Sequence, residues 1–349
     1  MNDELYMQRC LQLAMLGAGN VAPNPMVGAV LVNEGTVIGE GFHPQYGQEH
    51  AEVNCINNVP ANLAHLISSS TLYVSLEPCN HTGHTGPCTD FIIRHNIKKV
   101  VVACRDSYEK VNGSGIEKLK LAGIEVNEGI LEKEALFLNR RFFTFHKKQR
   151  PYIILKWAQT SNGFISAKDG RRLKISNEIT DRLVHRWRSE AAAIIVGSNT
   201  ARLDNPFLTT RLWPGRNPVR IVIDKHLQLA AHLNIFNKEA NTIIINTIKH
   251  SEEANLFYYQ TAEAETMLAV VINLMHQRNF TSLIVEGGAK LLQSFIEEGL
   301  WDEARIITAK KKTVATGVRA PILSNCSLQH TEQLADDEIQ YFLSTEMPQ

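Results

Sequence analysis

Apolar residues over positions 4–16 (Leu5, Met7, Leu11, Leu13, Met15, Leu16) recur at helical spacing and predict a helix that packs by one face. Pro23-Asn24-Pro25 then stops any helix and forces an extended turn. Two runs rich in β-branched residues, 27–32 and 36–41, flank Asn33-Glu34-Gly35 and predict a hairpin. Beyond it the period keeps switching. A helix is expected from His50 through Asn57, a buried strand over 71–76 and a helix opened by Cys88. A strand over 99–103, a helix over 115–122 and a strand over 124–126 follow. Alternation of this kind predicts helices layered on a sheet.

The pattern restarts after Pro151. Strands are expected over 152–158, 193–197, 219–224, 242–245 and 282–286. A helix over 177–189 takes Asn177 or Ser176 as its cap, and another begins at Ala289. A turn over 161–163 and loops over 198–200 and 204–206 join them. The stretch 139–151 is basic and aromatic and reads as an interdomain segment. We therefore expect two α/β domains, over residues 1–147 and 148–349.

The length of 349 residues agrees with two domains, and 44% hydrophobic against 21% charged residues suits ordinary globular cores. Lys+Arg 36 balances Asp+Glu 36, so no basic field draws the chain to nucleic acid or an anionic membrane. The acidic start, Met1-Asn2-Asp3-Glu4, lacks the basic opening and apolar core of a signal peptide. No apolar run approaches the ~20 residues that span a bilayer. Six cysteines with no secretion signal are expected to be reduced thiols of a cytoplasmic protein.

Four residues carry a chemistry: His50, Glu52, Cys79 and Cys88. One nitrogen and two thiolates give zinc three protein ligands and leave one tetrahedral position open. Water in that position ionises near pH 7. Glu52, two residues past a ligand on an incipient helix, can then carry protons without binding the metal. These are the parts of a zinc-dependent deaminase. Its generic signature spaces the cysteines as Cys-x-x-Cys, whereas residues 80–87 intervene here, and Gly83 and Gly86 suit a loop that returns. The alternative is a closed structural site with His81 or His84 as fourth ligand, which has no use for Glu52. Cys88 at a helix start is expected to have its thiolate favoured by the helix dipole. Asn24, held between prolines, suits reading a base edge or is a plain turn residue. His43 lies on the loop leading to His50, beside the site or in solvent.

His50-Ala51-Glu52, then Leu76-Glu77-Pro78-Cys79-Asn80-His81-Thr82-Gly83 with Cys88, then the stretch Gly113-Ser114-Gly115-Ile116, resemble one family. It is the bifunctional riboflavin-biosynthesis deaminase–reductases, whose opening motif Pro23-Asn24-Pro25-Met26-Val27-Gly28 also matches. The resemblance implies a cytidine-deaminase-like, three-layer α/β domain with zinc on His50, Cys79 and Cys88 and Glu52 as proton shuttle. It places Asn24, His43, His81, His84 and Asp106 around a pyrimidine nucleotide. His84 stands where the family usually has lysine or arginine, and Ser107-Tyr108-Glu109 replaces its Pro-Asn-Pro.

In the second half a strand runs into Gly287-Gly288 and a helix, physically a cradle for a phosphate or simply a packing device. Leu155-Lys156-Trp157-Ala158, Val196-Gly197-Ser198-Asn199-Thr200, Asp204-Asn205-Pro206, Arg211 and Val285-Glu286-Gly287-Gly288 resemble the reductase half of the same family. That half is dihydrofolate-reductase-like in fold and uses NADPH. The resemblance sets Lys156, Arg188, Leu208, Arg211 and Glu286 on the ribosylaminopyrimidine phosphate. Ala158, Thr200, Asp204, Gly287 and Gly288 would meet the nicotinamide nucleotide. Lys174-Ile175-Ser176 replaces the usual Trp-Ile-Thr, with Lys174 toward the cofactor and Ser176 toward the substrate.

The resemblance thus implies hydrolytic deamination of a diaminopyrimidine ribonucleotide, then NADPH-dependent reduction of its ribosyl group to a ribityl chain. We expect a homo-oligomer, a dimer or tetramer, with one zinc per chain. A tRNA or cytidine deaminase with an accessory domain is the rival; the cysteine spacing and balanced charge argue against it. A zinc-stabilised, non-enzymatic module is the other.

Overall fold

Val30 and Leu31 are neighbours on one strand, point to opposite faces and are both fully buried, so their sheet is covered on both sides. The computed structural model describes residues 3–81, 86–106, 113–167 and 173–345. The chain divides into two units, Met1–Gln149 and Arg150–Gln349. No described helix is long and apolar enough to cross a membrane.

In the first unit α1 (Asp3–Met15) leads into β1 (Gly28–Asn33), β2 (Thr36–Phe42) and α2 (Ala51–Asn57). After a 3-10 helix over Ala61–Ser69 come β3 (Thr71–Val74), α3 (Cys88–Arg94), β4 (Lys99–Val102), α4 (Ser114–Leu121) and β5 (Glu125–Glu128). The helices α5 (Glu132–Leu138) and α6 (Arg140–Lys148) close it. The sheet order is β2-β1-β3-β4-β5, antiparallel in the hairpin and parallel from β3 to β5. Met7 and Cys10 of α1, Ala135 of α5 and Phe142 and Phe143 of α6 pack with Val30 and Val101 on one face. Cys55 of α2, Ile92 of α3 and Leu119 of α4 pack with Leu31 and Val100 on the other. Three layers result, as the expected fold class requires.

The second unit carries β6 (Tyr152–Thr160), β7 (Phe164–Ala167), α7 (Glu178–Ser189), β8 (Ala193–Gly197), α8 (Ser198–Asp204), β9 (Val219–Ile223) and β10 (Thr242–Asn246). Next come β11 (Ser251–Glu253), β12 (Leu256–Gln260), α9 (Met267–Gln277), β13 (Ser282–Val285) and α10 (Ala289–Glu297). The last strands are β14 (Glu303–Ala309), β15 (Gly317–Arg319), β16 (Cys326–Leu334) and β17 (Asp337–Ser344). The main sheet runs β11-β12-β10-β9-β8-β13-β6-β14-β17-β16, parallel from β12 to β14 with antiparallel margins; β7 pairs with β15 apart from it. Helices α9 and α10 cover the face of Ile153 and Leu155. Helix α7 and Ala201 of α8 cover the face of Tyr152 and Ile154. Lys156 continues the second series, so strand alternation aims it under α7.

Two local expectations are corrected. Residues 139–151 are not a linker: α6 occupies most of them and buries Phe142, Phe143 and Phe145. Burial of a phenylalanine stabilises by roughly 1.5–3 kcal/mol, which outweighs the solvation of the basic residues that share the helix and stay on its outer side. Residues 198–204 form α8, not a loop.

Candidate functional site

His50 caps α2 with extended backbone, and Cys88 opens α3, so two helix starts and the end of the β3 connection meet at one point. The Nδ1 atom of His50 lies 3.5 Å from Cys79 Sγ and 3.3 Å from Cys88 Sγ. Zinc–sulfur bonds of about 2.3 Å and zinc–nitrogen bonds of about 2.0 Å at a tetrahedral angle require an N···S edge of about 3.5 Å. The trio fits that demand. Among the described residues this is the one histidine, cysteine or carboxylate cluster that can hold a metal; His81 is not part of it, and His84 lies outside the described residues.

Hydrogen bonding from the Cys88 thiol and from His50 lowers the Cys79 thiol. At the start of α3 the Cys88 backbone N–H also donates to Cys79 Sγ at 3.4 Å. The Cys88 thiol is raised by its own hydrogen bond to Cys79 and by burial, and a bound metal would displace its proton.

Glu52 stands in the first turn of α2 and is 3% exposed. Burial, then the Cys79 charge, push its carboxyl up to about 7. His43, 2% exposed, meets His50 edge-on with ring centres 5.2 Å apart. Its Nδ1 donates to the Glu49 carbonyl at 3.0 Å, which leaves Nε2 to accept from Asn24 Nδ2 at 3.2 Å. Burial holds this ring neutral by lowering its pKa. Asn24 is thereby tied to the ring that packs on the ligand His50. Asp106 is buried at the end of the β4 connection.

In the second unit, a cavity of about 880 Å³ opens at the carboxyl ends of β6, β8 and β13. Open parallel sheets place ligands there. At its floor Glu286 accepts a two-pronged pair of hydrogen bonds from Arg188 Nε and Nη2, at 2.8 and 2.7 Å. Lys156 Nζ lies 3.6 Å from the same carboxylate. Burial pushes Glu286 up, but the charges of Arg188 and Lys156 outweigh it and hold the carboxyl at about 2. Burial lowers Lys156.

At the rim, Gly288 has φ 63° and precedes α10. A Cβ on Gly287 would sit 2.9 Å from Thr200 Cγ2, and one on Gly288 would sit 3.1 Å from Thr200 Oγ1. The glycine pair keeps the mouth of α10 open against Thr200, the space and polarity that a nucleotide phosphate needs. The cavity also receives Ala158, Lys174, Ser176, Asp204, Leu208 and Arg211, every remaining residue that the sequence assigned to the second site.

Comparison with known proteins follows the same division. Residues 1–104 match the cytidine and deoxycytidylate deaminase zinc-binding region, and residues 151–314 match the RibD C-terminal domain. The riboflavin biosynthesis protein RibD of Aquifex aeolicus is 40% identical over 314 residues, covering 88% of this chain and 87% of that one. The chain belongs to the RibD family. RibD of Escherichia coli K12 is 32% identical across 96% of this chain and 94% of its own. A Thermotoga maritima structure, a diaminohydroxyphosphoribosylaminopyrimidine deaminase/5-amino-6-(5-phosphoribosylamino)uracil reductase, is 33% identical. It superposes with a TM-score of 0.86 over 98% of both chains. Acinetobacter baumannii RibD gives 0.89 at 29% identity over 99% of both chains. RibD proteins are bifunctional deaminase–reductases of riboflavin biosynthesis, with zinc in the deaminase half and NADPH serving the reductase half.

Three residues of this RibD chain escape a reading by motif. Glu77, 3% exposed, accepts four backbone N–H groups, from Asp106 (3.1 Å), Gly113 (3.0 Å), Gly115 (3.0 Å) and Ile116 (3.3 Å). It thus ties the start of α4 and the end of the β4 connection to the segment that delivers Cys79. Gly115 permits the approach, since a Cβ there would lie 2.0 Å from the Pro78 carbonyl. Asn139 exchanges two 2.8 Å hydrogen bonds with the Met26 backbone and so fixes the turn that carries Asn24. His185 lines the reductase cavity. A carboxylate two residues before a ligand was the available signal for Glu77. Asn139 and His185 are joined to their sites only by the fold.

Proposed function

We propose that the first unit hydrolyses the 2-amino group from 2,5-diamino-6-(5-phosphoribosylamino)-4(3H)-pyrimidinone. The second unit then reduces the ribosyl group of the product to give 5-amino-6-(5-phosphoribitylamino)uracil. The single observation that carries the first half is the N,S,S trio with a buried, non-ligating carboxylate beside it.

His50, Cys79 and Cys88 would hold zinc, which when bound supplies a hydroxide nucleophile at neutral pH. Glu52 takes the proton of the attacking water and returns protons to the ring nitrogen and the departing amine. Asn24, oriented through the Nε2 atom of His43, reads the pyrimidine edge, and the family motif assigns Asp106, His81 and His84 to the nucleotide as well. In the second unit Arg211, Lys156 and the backbone at Leu208 receive the ribosyl phosphate end, with Arg188 and Glu286 holding Lys156 in place. Ser176 donates a hydrogen bond to Asp181 on α7 and so shapes the substrate wall. Ala158, Lys174, Thr200, Asp204, Gly287 and Gly288 form the side that takes NADPH, the hydride donor for C1′ of the ribosyl group.

We extend the reading to a homo-oligomer, dimer or tetramer, in the cytoplasm. All six cysteines are unpaired thiols, as thiolate ligands require, and β16 leaves an exposed sheet edge available to a second copy. Incubating the purified protein with the diaminopyrimidine nucleotide tests the activity. One ammonia per nucleotide is expected without NADPH, and NADPH oxidation only once ammonia has been released. NADPH oxidation without ammonia release, or neither, would refute the reading.

A further inference from the structure

The reductase cavity is entered by a stretch of backbone, residues 205–212, that does not rest at ease. Leu208 has φ 57°, a left-handed value that a leucine adopts only when its surroundings impose it, while Asn205 ends α8 at φ 41°, where asparagine is at home. Leu208 is buried, so it cannot relax into solvent. One end of the stretch is anchored by Asn234, which donates through its backbone N–H and its Nδ2 to Asn205, both at 2.7 Å. The other end is held by a histidine. His185 Nδ1 accepts the backbone N–H of Arg211 at 2.8 Å and that of Leu212 at 3.3 Å. Between the anchors, the Thr209 carbonyl accepts from Arg188 Nη1 at 3.3 Å and the Thr209 hydroxyl from Arg211 Nη1 at 3.1 Å.

An imidazole nitrogen that accepts two N–H groups carries no proton, so the ring is neutral and its proton is on Nε2. The surroundings agree: burial first, then the charges of Arg188 and Arg211, lower His185 to about 4 against the pull of Glu286 and Asp181. His185 lies on the cavity face of α7 one turn from Arg188, with Asp181 and Val184 on the same stripe. Helix α7 therefore grips the stretch twice, through His185 and through Arg188.

We propose that His185 is a positioning residue of the reductase site, whose neutral ring pins the backbone at Arg211 and Leu212 so that Leu208 and the Arg211 guanidinium face the ribosyl phosphate. The proposal deepens the reductase reading and rests on Arg211 meeting that phosphate. A histidine kept only for core packing would tolerate any substitute of similar size; a backbone acceptor would not. Asparagine places Oδ1 where Nδ1 stands, whereas glutamine places its acceptor where Nε2 stands.

The test measures reductase KM and kcat, with ammonia release by the same chains as a check on folding. His185→Ala leaves two N–H groups without an acceptor and is expected to raise KM for the phosphoribosylaminopyrimidine about tenfold, the size of one such loss. The KM for NADPH stays near its wild-type value. His185→Asn is expected to restore the substrate KM to within about threefold, and His185→Gln is not. Equal behaviour of the asparagine and glutamine chains, or an unchanged KM in His185→Ala, overturns the proposal. Arg211→Ala separates the two failures. If it raises KM and His185→Ala does not, positioning by His185 fails alone. If it changes nothing, the phosphate reading fails and takes the proposal with it.

Discussion

Glu52→Gln is expected to slow deamination by ~10²–10⁴-fold, the usual scale of a lost general acid–base, while zinc content and reduction stay at wild-type levels. Glutamine keeps the size and the buried position of Glu52 but can neither take nor return a proton. The ligand trio does not include Glu52, so metal binding has no reason to change. The carboxyl is enclosed among groups that suit a shuttle: burial makes its proton easy to hold, and the α2 turn fixes it two residues from His50. Ammonia release, zinc analysis and NADPH oxidation on one preparation decide the matter. Near-wild-type ammonia release would remove Glu52 from the mechanism, and a loss of zinc would make it a structural residue.

Glu286→Gln is expected to damage the second unit in both stability and turnover. The substitution leaves Arg188 and Lys156, both largely withdrawn from solvent, facing each other without their shared counter-charge. Removing one partner of a buried pair costs about 3–5 kcal/mol. For a unit of this size that corresponds to a fall in Tm of roughly 6–20 °C. Calorimetry should show the loss in the transition of the second unit, with deamination retained. A Tm unchanged within about 1 °C would mean that solvent already screens the trio.

The sign of the pH dependence follows. The folded carboxyl, held at about 2, lies below the unfolded value of about 4.3, so the trio contributes fully above that value. Its contribution fades as the pH falls toward 2, and the Gln chain should lack this acid limb.

Much of this was legible in the residues because the chemistry is local in sequence. His50 and Glu52 share one helical turn, and the strand ends that deliver Cys79 and Gly287-Gly288 are short apolar runs with sharp boundaries. What escaped was set by contacts distant along the chain. The aromatic helix α6 reads as a basic linker until the sheet face that buries Phe142 and Phe143 is known. The backbone N–H that the start of α3 lends to the Cys79 sulfur depends on where one amide points, and no motif records that. Glu77 and His185 act on backbone amides, so neither needs a recognisable partner residue. The segment 198–204 looked like a loop because its Asn and Asp favour turns, yet Ala201 is fully buried in the core beside β8 and β9 and the segment is helical.

X-ray absorption at the zinc edge tests the central claim most directly. The account predicts one zinc per chain with two sulfur scatterers at about 2.3 Å and two light scatterers near 2.0 Å, one of them an imidazole. Cys88→Ala should lose the metal. A third sulfur, a second imidazole in place of solvent, or full zinc occupancy in Cys88→Ala would contradict the open N,S,S site on which the deaminase reading stands.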